Sequence, residues 1–174
     1  MKTFAPIVNG LSAAFVIGVL SLLTFDSPLG VWLLFSFGSS SLILFVFHDS
    51  EFAKAKNVFF GHLISIIIGI SFNNFMGISF ISLGLSVGLS VTLMMYFKII
   101  HPPAAANPLI ALFADVSYEF ILFPVITGSV VLIILSYLIN RYILRRFSAK
   151  KTNLKKQLKS LKLKRKNSKK NKGS

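Results

Sequence analysis

The sequence predicts an all-α fold, a polytopic transmembrane helix bundle. Three observations predict it. The 174-residue chain is 54% hydrophobic, with a mean hydropathy of +0.75. Its apolar runs are continuous rather than alternating, which favours membrane helices over strands. Its charge is segregated: residues 1–140 hold four basic side chains (Lys2, Lys54, Lys56, Lys98) and all five acids, whereas residues 141–174 hold fifteen cations and no acid. The formal net charge of +14 therefore describes a near-neutral body carrying a basic tail.

The first run, Pro6 to Thr24, has the length of one crossing. A signal peptide is the rival reading, with Lys2 as its basic start; no small-residue cleavage motif follows, and an uncleaved helix is expected. The second run, Leu29 to Phe47, is interrupted by Gly38-Ser39-Ser40-Ser41. A polar loop covers His48 to Asn57. The third run is Val58 to Phe72, with a turn expected at Asn73-Asn74, and the fourth is Ile78 to Phe97. His101 to Ala114 is a short fifth piece containing Pro108, and Phe120 to Tyr142 is the last and longest.

Four full crossings plus two broken or re-entrant segments are expected, or six crossings if all pieces span. Lysine and arginine favour six. Lys2, Lys54, Lys56, Lys98 and the tail then share the cytoplasmic side with both termini, while Asp26, Asp115 and Glu119 lie outside. Against six, the fourteen residues of the fifth piece rise only about 21 Å, short of a ~30 Å hydrocarbon core. Each half reads as long helix, broken helix, long helix, the outline of an internal inverted repeat. The expected domains are a transmembrane region over residues 1–147 and a basic cytoplasmic tail over 148–174.

The chemistry concentrates where the chain breaks. Pro102 and Pro103 suit the first turn of a helix, where their missing N–H groups would be unbonded anyway. A helix beginning there would leave the N–H groups of Ala104, Ala105, Ala106 and Asn107 partly free, a dipolar anion site inside the membrane. His101 adds an imidazole donor or a proton carrier, and Asn107 an amide of either polarity. The plainer reading is an interfacial helix start, three residues beyond Lys98. Gly38, Ser39, Ser40 and Ser41 could line a pathway opposite, although serines in apolar helices more often bond their own carbonyls. His62 is ionisable within a membrane helix, hence a candidate by position; the plainer reading is a histidine bonded to a neighbouring serine or carbonyl. His48, beside Asp49 and Glu51, reads as a solvated loop residue. Gly61-xxx-Ser65-xxx-Gly69, Ser82-xxx-Ser86-xxx-Ser90 and Gly84-xxx-Gly88 read as packing faces.

No cysteine is present, which excludes disulfides and thiolate chemistry. The three histidines have no metal-ligand spacing, no nucleophile elbow or phosphate loop occurs, and neither a metal, a cofactor nor an enzymatic role is expected. In the tail, Leu154, Leu158 and Leu161 share a helical face among lysines, a pattern suited to anionic lipid. No aromatic follows Phe147 to stack on bases, so nucleic acid is not expected; residues 165–174 are expected to be disordered.

Taken together, Ser36-Phe37-Gly38, Asp49-Ser50, Asn57-Val58, Gly61-His62, His101-Pro102-Pro103-Ala104 and Pro124 with Gly128 resemble the HPP family of integral membrane proteins over about residues 30–142. Members are usually described with four membrane helices. The chain departs from the family pattern at Ala105, where glycine is frequent, and at Asn107-Pro108, where the family has small or apolar residues. Plant and cyanobacterial relatives are associated with nitrite transport. The resemblance thus implies a small-anion transporter, nitrite first. The expected reading is an inner-membrane permease, in which a proton carried with the anion would cancel its charge and reduce the desolvation penalty. The alternative is a non-transporting anchor whose tail binds lipid or a partner. Partners expected are the bilayer, the anion, anionic headgroups at the tail, and further copies of the chain in a homo-oligomer.

Overall fold

The computed structural model describes residues 4–26 and 33–144. The expectations for the tail, lipid binding and disorder included, lie outside the described residues. Six α-helices are described: α1 (Phe4–Asp26), α2 (Ser36–Val46), α3 (Ala55–Met76), α4 (Phe80–Tyr96), α5 (Asn107–Phe113) and α6 (Thr127–Ile139). Short 3₁₀ turns occupy Glu51–Ala53 and Pro102–Ala106, and Ile121–Ile126 leads into α6 with a kink where Phe123 is extended. One compact unit ends at Tyr137; from Leu138 a second begins, whose described part is helical to Leu144. No strand occurs among the described residues.

Three segments are long and apolar enough to cross a membrane, Ala5–Asp26, Ala55–Met76 and Ile121–Tyr142, with shorter apolar helices at Ser36–Val46 and Phe80–Tyr96. Large apolar side chains such as Phe15, Phe75, Phe80 and Tyr96 are exposed while Ser40, His62, Ser65 and His101 are fully buried. That inversion is natural where the surrounding solvent is lipid.

Three boundaries differ from expectation. Gly38 to Ser41 do not interrupt the second helix but lie within α2. The hydroxyls of Ser39 and Ser41 donate to the carbonyls of Ser36 and Gly38 at 2.9 and 2.7 Å, so the small polar residues are satisfied without leaving the helix. Asn73 and Asn74 do not form a turn but the last turns of α3. The helix stops instead at Gly77, whose φ of 61° and ψ of −171° suit only glycine. Ser79 then caps α4 in a reciprocal pair with Ser82. Finally, α3 starts three residues before Val58, at Ala55, so His62 lies about two turns inside rather than one.

A row of every fourth residue on α3 carries the chain from Ile100 to Asp115. The Asn57 amide donates to Ile100 O at 3.2 Å. Gly61 faces His101: a Cβ there would lie 2.9 Å from the His101 Cβ. Ser65 accepts from Asn107 at 2.9 Å. Gly69 faces Pro108 and Ala111. The Asn73 amide donates to the Asp115 carboxylate at 2.7 Å. The expected small-residue face Gly61-xxx-Ser65-xxx-Gly69 is the middle of this row. The segment runs parallel to α3 over a helical rise of about 24 Å.

Candidate functional site

The site forms where α2, α3 and the His-Pro-Pro turn meet. On α2, Ser36 and Ser40 are one turn apart and share a face. On α3, His62 and Ser65 occupy adjacent positions of the inner face. The turn and α5 supply His101 and Asn107. All six side chains are buried.

The hydrogen bonds among them fix several proton positions. His101 Nδ1 lies 2.8 Å from the Phe52 carbonyl oxygen. A carbonyl only accepts, so Nδ1 carries the proton and Nε2 of the neutral ring accepts. That Nε2 lies 2.9 Å from Ser40 Oγ, and His62 Nε2 lies 3.0 Å from the same oxygen. The two rings meet edge to face with centroids 5.0 Å apart. The Ser36 hydroxyl donates to Asn107 Oδ1 at 2.7 Å. The Asn107 amide nitrogen has two N–H groups: one donates to Ser65 Oγ at 2.9 Å and the other is shared between His62 Nδ1 at 3.0 Å and His62 O at 3.2 Å, while Ser36 Oγ lies 3.4 Å from His62 Nδ1. Because the Asn107 amide nitrogen is a donor, His62 Nδ1 accepts and its proton sits on Nε2. Phe37 closes the outer edge, packed edge-on against His62 at 5.1 Å.

The expected amide site is revised. The N–H of Ala104 donates to His101 O at 3.0 Å, and that of Asn107 to Ala104 O. Pro102 and Pro103 have no N–H to offer. The tight 3₁₀ winding thus commits the N–H groups of Ala104 and Asn107 within the turn. Ala105 and Ala106 lie in the same turn, half-buried and exposed, and Pro102 is exposed while Pro103 is buried. Pro108 sits in the first turn of α5, where proline is tolerated.

Of the expected residues, the structure brings together Ser40, His62, His101 and Asn107. Gly38 and Ser39 are exposed, and Ser41 is turned to its own helix. His48 is exposed beside Asp49, 3.4 Å away. Three members were missed as site residues: Ser36, Ser65 and the Phe52 carbonyl. Ser36 is legible afterwards as one helical turn before Ser40, and Ser65 as three residues after His62. The Phe52 carbonyl has no signal in the sequence.

The chain matches the transmembrane region of the HPP family over residues 2–148. The chain belongs to the HPP family. Two transmembrane proteins of Dictyostelium discoideum are similar to it. One is 26% identical over 115 residues, covering 62% of this chain and 40% of the relative. The other is 27% identical over 122 residues, covering 64% and 39%. The chain thus spans about two fifths of the length of these relatives. No solved structure matches it. With the exposed apolar helices, membership makes this HPP protein an integral membrane protein.

Proposed function

We propose that this HPP-family protein carries a small inorganic anion across the cell's inner membrane, nitrite first among the substrates, by way of the His62, Ser40 and His101 cluster. One observation supports this above the rest: two imidazoles, three serines and a carboxamide lie buried where two short helices meet on α3. Polar groups in an apolar bundle are costly, and each is retained at the expense of a packed apolar side chain. Imidazole N–H, hydroxyl and carboxamide donors are the groups that replace the water around an oxyanion. Since each now bonds another member of the cluster, a substrate enters when α2 and the His-Pro-Pro turn part.

In this reading all six pieces cross. The parallel run of residues 100–115 along α3 supports that count, because a segment lying along most of a spanning helix emerges on its far face. Lys54 and Lys98 then lie on the cytoplasmic side with both termini, Asp115 outside.

The test is nitrite uptake by proteoliposomes. His101→Ala is expected to abolish uptake while the protein stays folded, read by its helical content and elution as a single species. Normal uptake by that variant removes the site. Deleting residues 150–174 tests the anchor alternative: uptake that survives the deletion favours transport, while a protein that takes up no anion in either form favours the anchor.

A further inference from the structure

The Ser40 hydroxyl lies within hydrogen-bond distance of three partners: His62 Nε2 at 3.0 Å, His101 Nε2 at 2.9 Å and Ser36 O at 3.0 Å. It has one proton to give and two lone pairs to receive with. Two arrangements satisfy the cluster. In the first, both rings are neutral. His62 Nε2–H donates to Ser40, Ser40 donates to His101 Nε2, and Ser36 O is left with the Ser39 hydroxyl, which donates to it at 2.9 Å. In the second, one proton has been added at His101 Nε2. Both rings now donate to Ser40 Oγ, and the Ser40 hydroxyl turns to Ser36 O. No heavy atom moves and no donor is orphaned.

A second proton meets a poorer place: its one acceptor, Ser36 Oγ, lies 3.4 Å from His62 Nδ1, and its charge would sit in a ring 5.0 Å from the first. It would go to His62 Nδ1, which faces the Asn107 amide nitrogen at 3.0 Å. Turning that carboxamide would set its oxygen against the His62 carbonyl oxygen, 3.2 Å from the present nitrogen, and would turn an N–H₂ towards Ser36, which now donates.

The groups packed around the rings are neutral. α2 presents Ser36, Ser40 and Phe37, α3 presents Ser65, the fifth segment presents Asn107, and the 48–54 loop presents the Phe52 carbonyl. The nearby charges of that loop face outward, with Glu51 paired to Lys54 at 2.7 Å and Asp49 exposed; Lys98 is also exposed. Among the described residues no carboxylate hydrogen-bonds to either ring. A cation formed here has no fixed counter-ion.

We infer that His62 and His101, bridged by the Ser40 hydroxyl, take up a single proton that is bound together with the transported anion. This rests on the transport reading above for the anion and on hydrogen-bond geometry for the proton. The added proton makes the cluster positive and the anion restores neutrality, so each favours the binding of the other by the same factor. Ser40 is a positioning residue: it relays the change in proton count to α2 without touching the substrate's charge itself.

The experiment is nitrogen-15 NMR of the full chain in liposomes, with labelled histidine and His48→Gln to remove the third ring. With nitrite present, as pH falls from neutral into the acid range, His101 is expected to keep its Nδ1 proton throughout and gain one at Nε2, with His62 remaining the Nε2–H form. Protonation of both rings, protonation of His62 at Nδ1, or a neutral pair across the whole range overturns the inference. Ser40→Ala is expected to abolish the linked response of the His62 signal, and Ser40→Thr, which keeps the hydroxyl, to restore it; an unchanged linkage in Ser40→Ala also overturns it. In parallel, an inwardly directed proton gradient is expected to drive nitrite accumulation. Uptake indifferent to that gradient removes the coupling and leaves transport standing. A single-proton titration without any uptake removes the transport reading and leaves the proton site standing.

Discussion

Gly69 and Pro108 touch so closely that a Cβ on the glycine would lie 2.6 Å from the proline Cα and 2.8 Å from the Ala111 Cβ. Neither obstacle is a flexible side chain, so relief requires α5 to move off α3. Gly69→Ala is expected to destabilise the protein by about 1–3 kcal/mol, the range for overpacking a filled contact. Gly84 on α4 has nothing within 4 Å of its Cβ position, and Gly84→Ala should be neutral or slightly stabilising through helix propensity. Thermal unfolding in detergent compares the two; equal midpoints would mean that α5 does not pack as described.

Asn107 joins three elements. Its oxygen takes the Ser36 hydroxyl of α2, and its nitrogen serves Ser65 and His62 of α3. Asn107→Leu preserves the approximate volume and removes every bond. Each buried group left without a partner costs about 1–3 kcal/mol, so a marked fall in unfolding temperature is expected. Adding Ser36→Ala should cost less in this background than in the wild type, because its partner has already gone. Strict additivity of the two would argue that the residues are not coupled.

Helix existence was legible because long uncharged runs permit little else in this composition. Helix ends were less so. Ala55, Lys56 and Asn57 are polar or small, so hydropathy starts α3 late, and the Asn73-Asn74 pair looks like a turn until Asp115 supplies its partner. The histidines and Asn107 were legible as candidates because polar groups in apolar runs stand out. Their mutual bonding was not, since His62 and His101 are 39 positions apart and only the every-fourth-residue row on α3 brings them together. The amide expectation could not see the winding: a 3₁₀ turn directs the Ala104 N–H to His101 O and the Asn107 N–H to Ala104 O.

The parallel run of residues 100–115 along α3 separates two topologies by labelling. No native cysteine competes. Lys54 and Lys98 lie beside the start of the row, and Asp115 at its end beside Asn73. If the fifth segment crosses, Lys54→Cys and Lys98→Cys label from one side of the membrane and Asp115→Cys from the other. A membrane-impermeant maleimide on intact cells should reach position 115 and not 54 or 98. Labelling of 54 and 115 from the same side returns the segment to a re-entrant loop and sinks the six-crossing count.

The three consecutive serines of α2 separate a pathway from a point of contact. Were the whole Gly38 to Ser41 stretch a lining, each hydroxyl would matter to a similar degree. The geometry instead divides them. Ser39 and Ser41 donate only to their own helix at 2.9 and 2.7 Å, and alanine there trades a weak back-bond for better helix propensity. Ser40 alone reaches both imidazoles, so Ser40→Ala leaves the His101 Nε2 and the His62 Nε2–H facing each other without a bridge. The expected order in proteoliposome uptake is near wild type for Ser39→Ala and Ser41→Ala. For Ser40→Ala the expected loss is about tenfold or more, the rate equivalent of one buried hydrogen bond of about 1.4 kcal/mol. Comparable losses at all three positions would place the substrate along the outer face of α2 and away from the histidines.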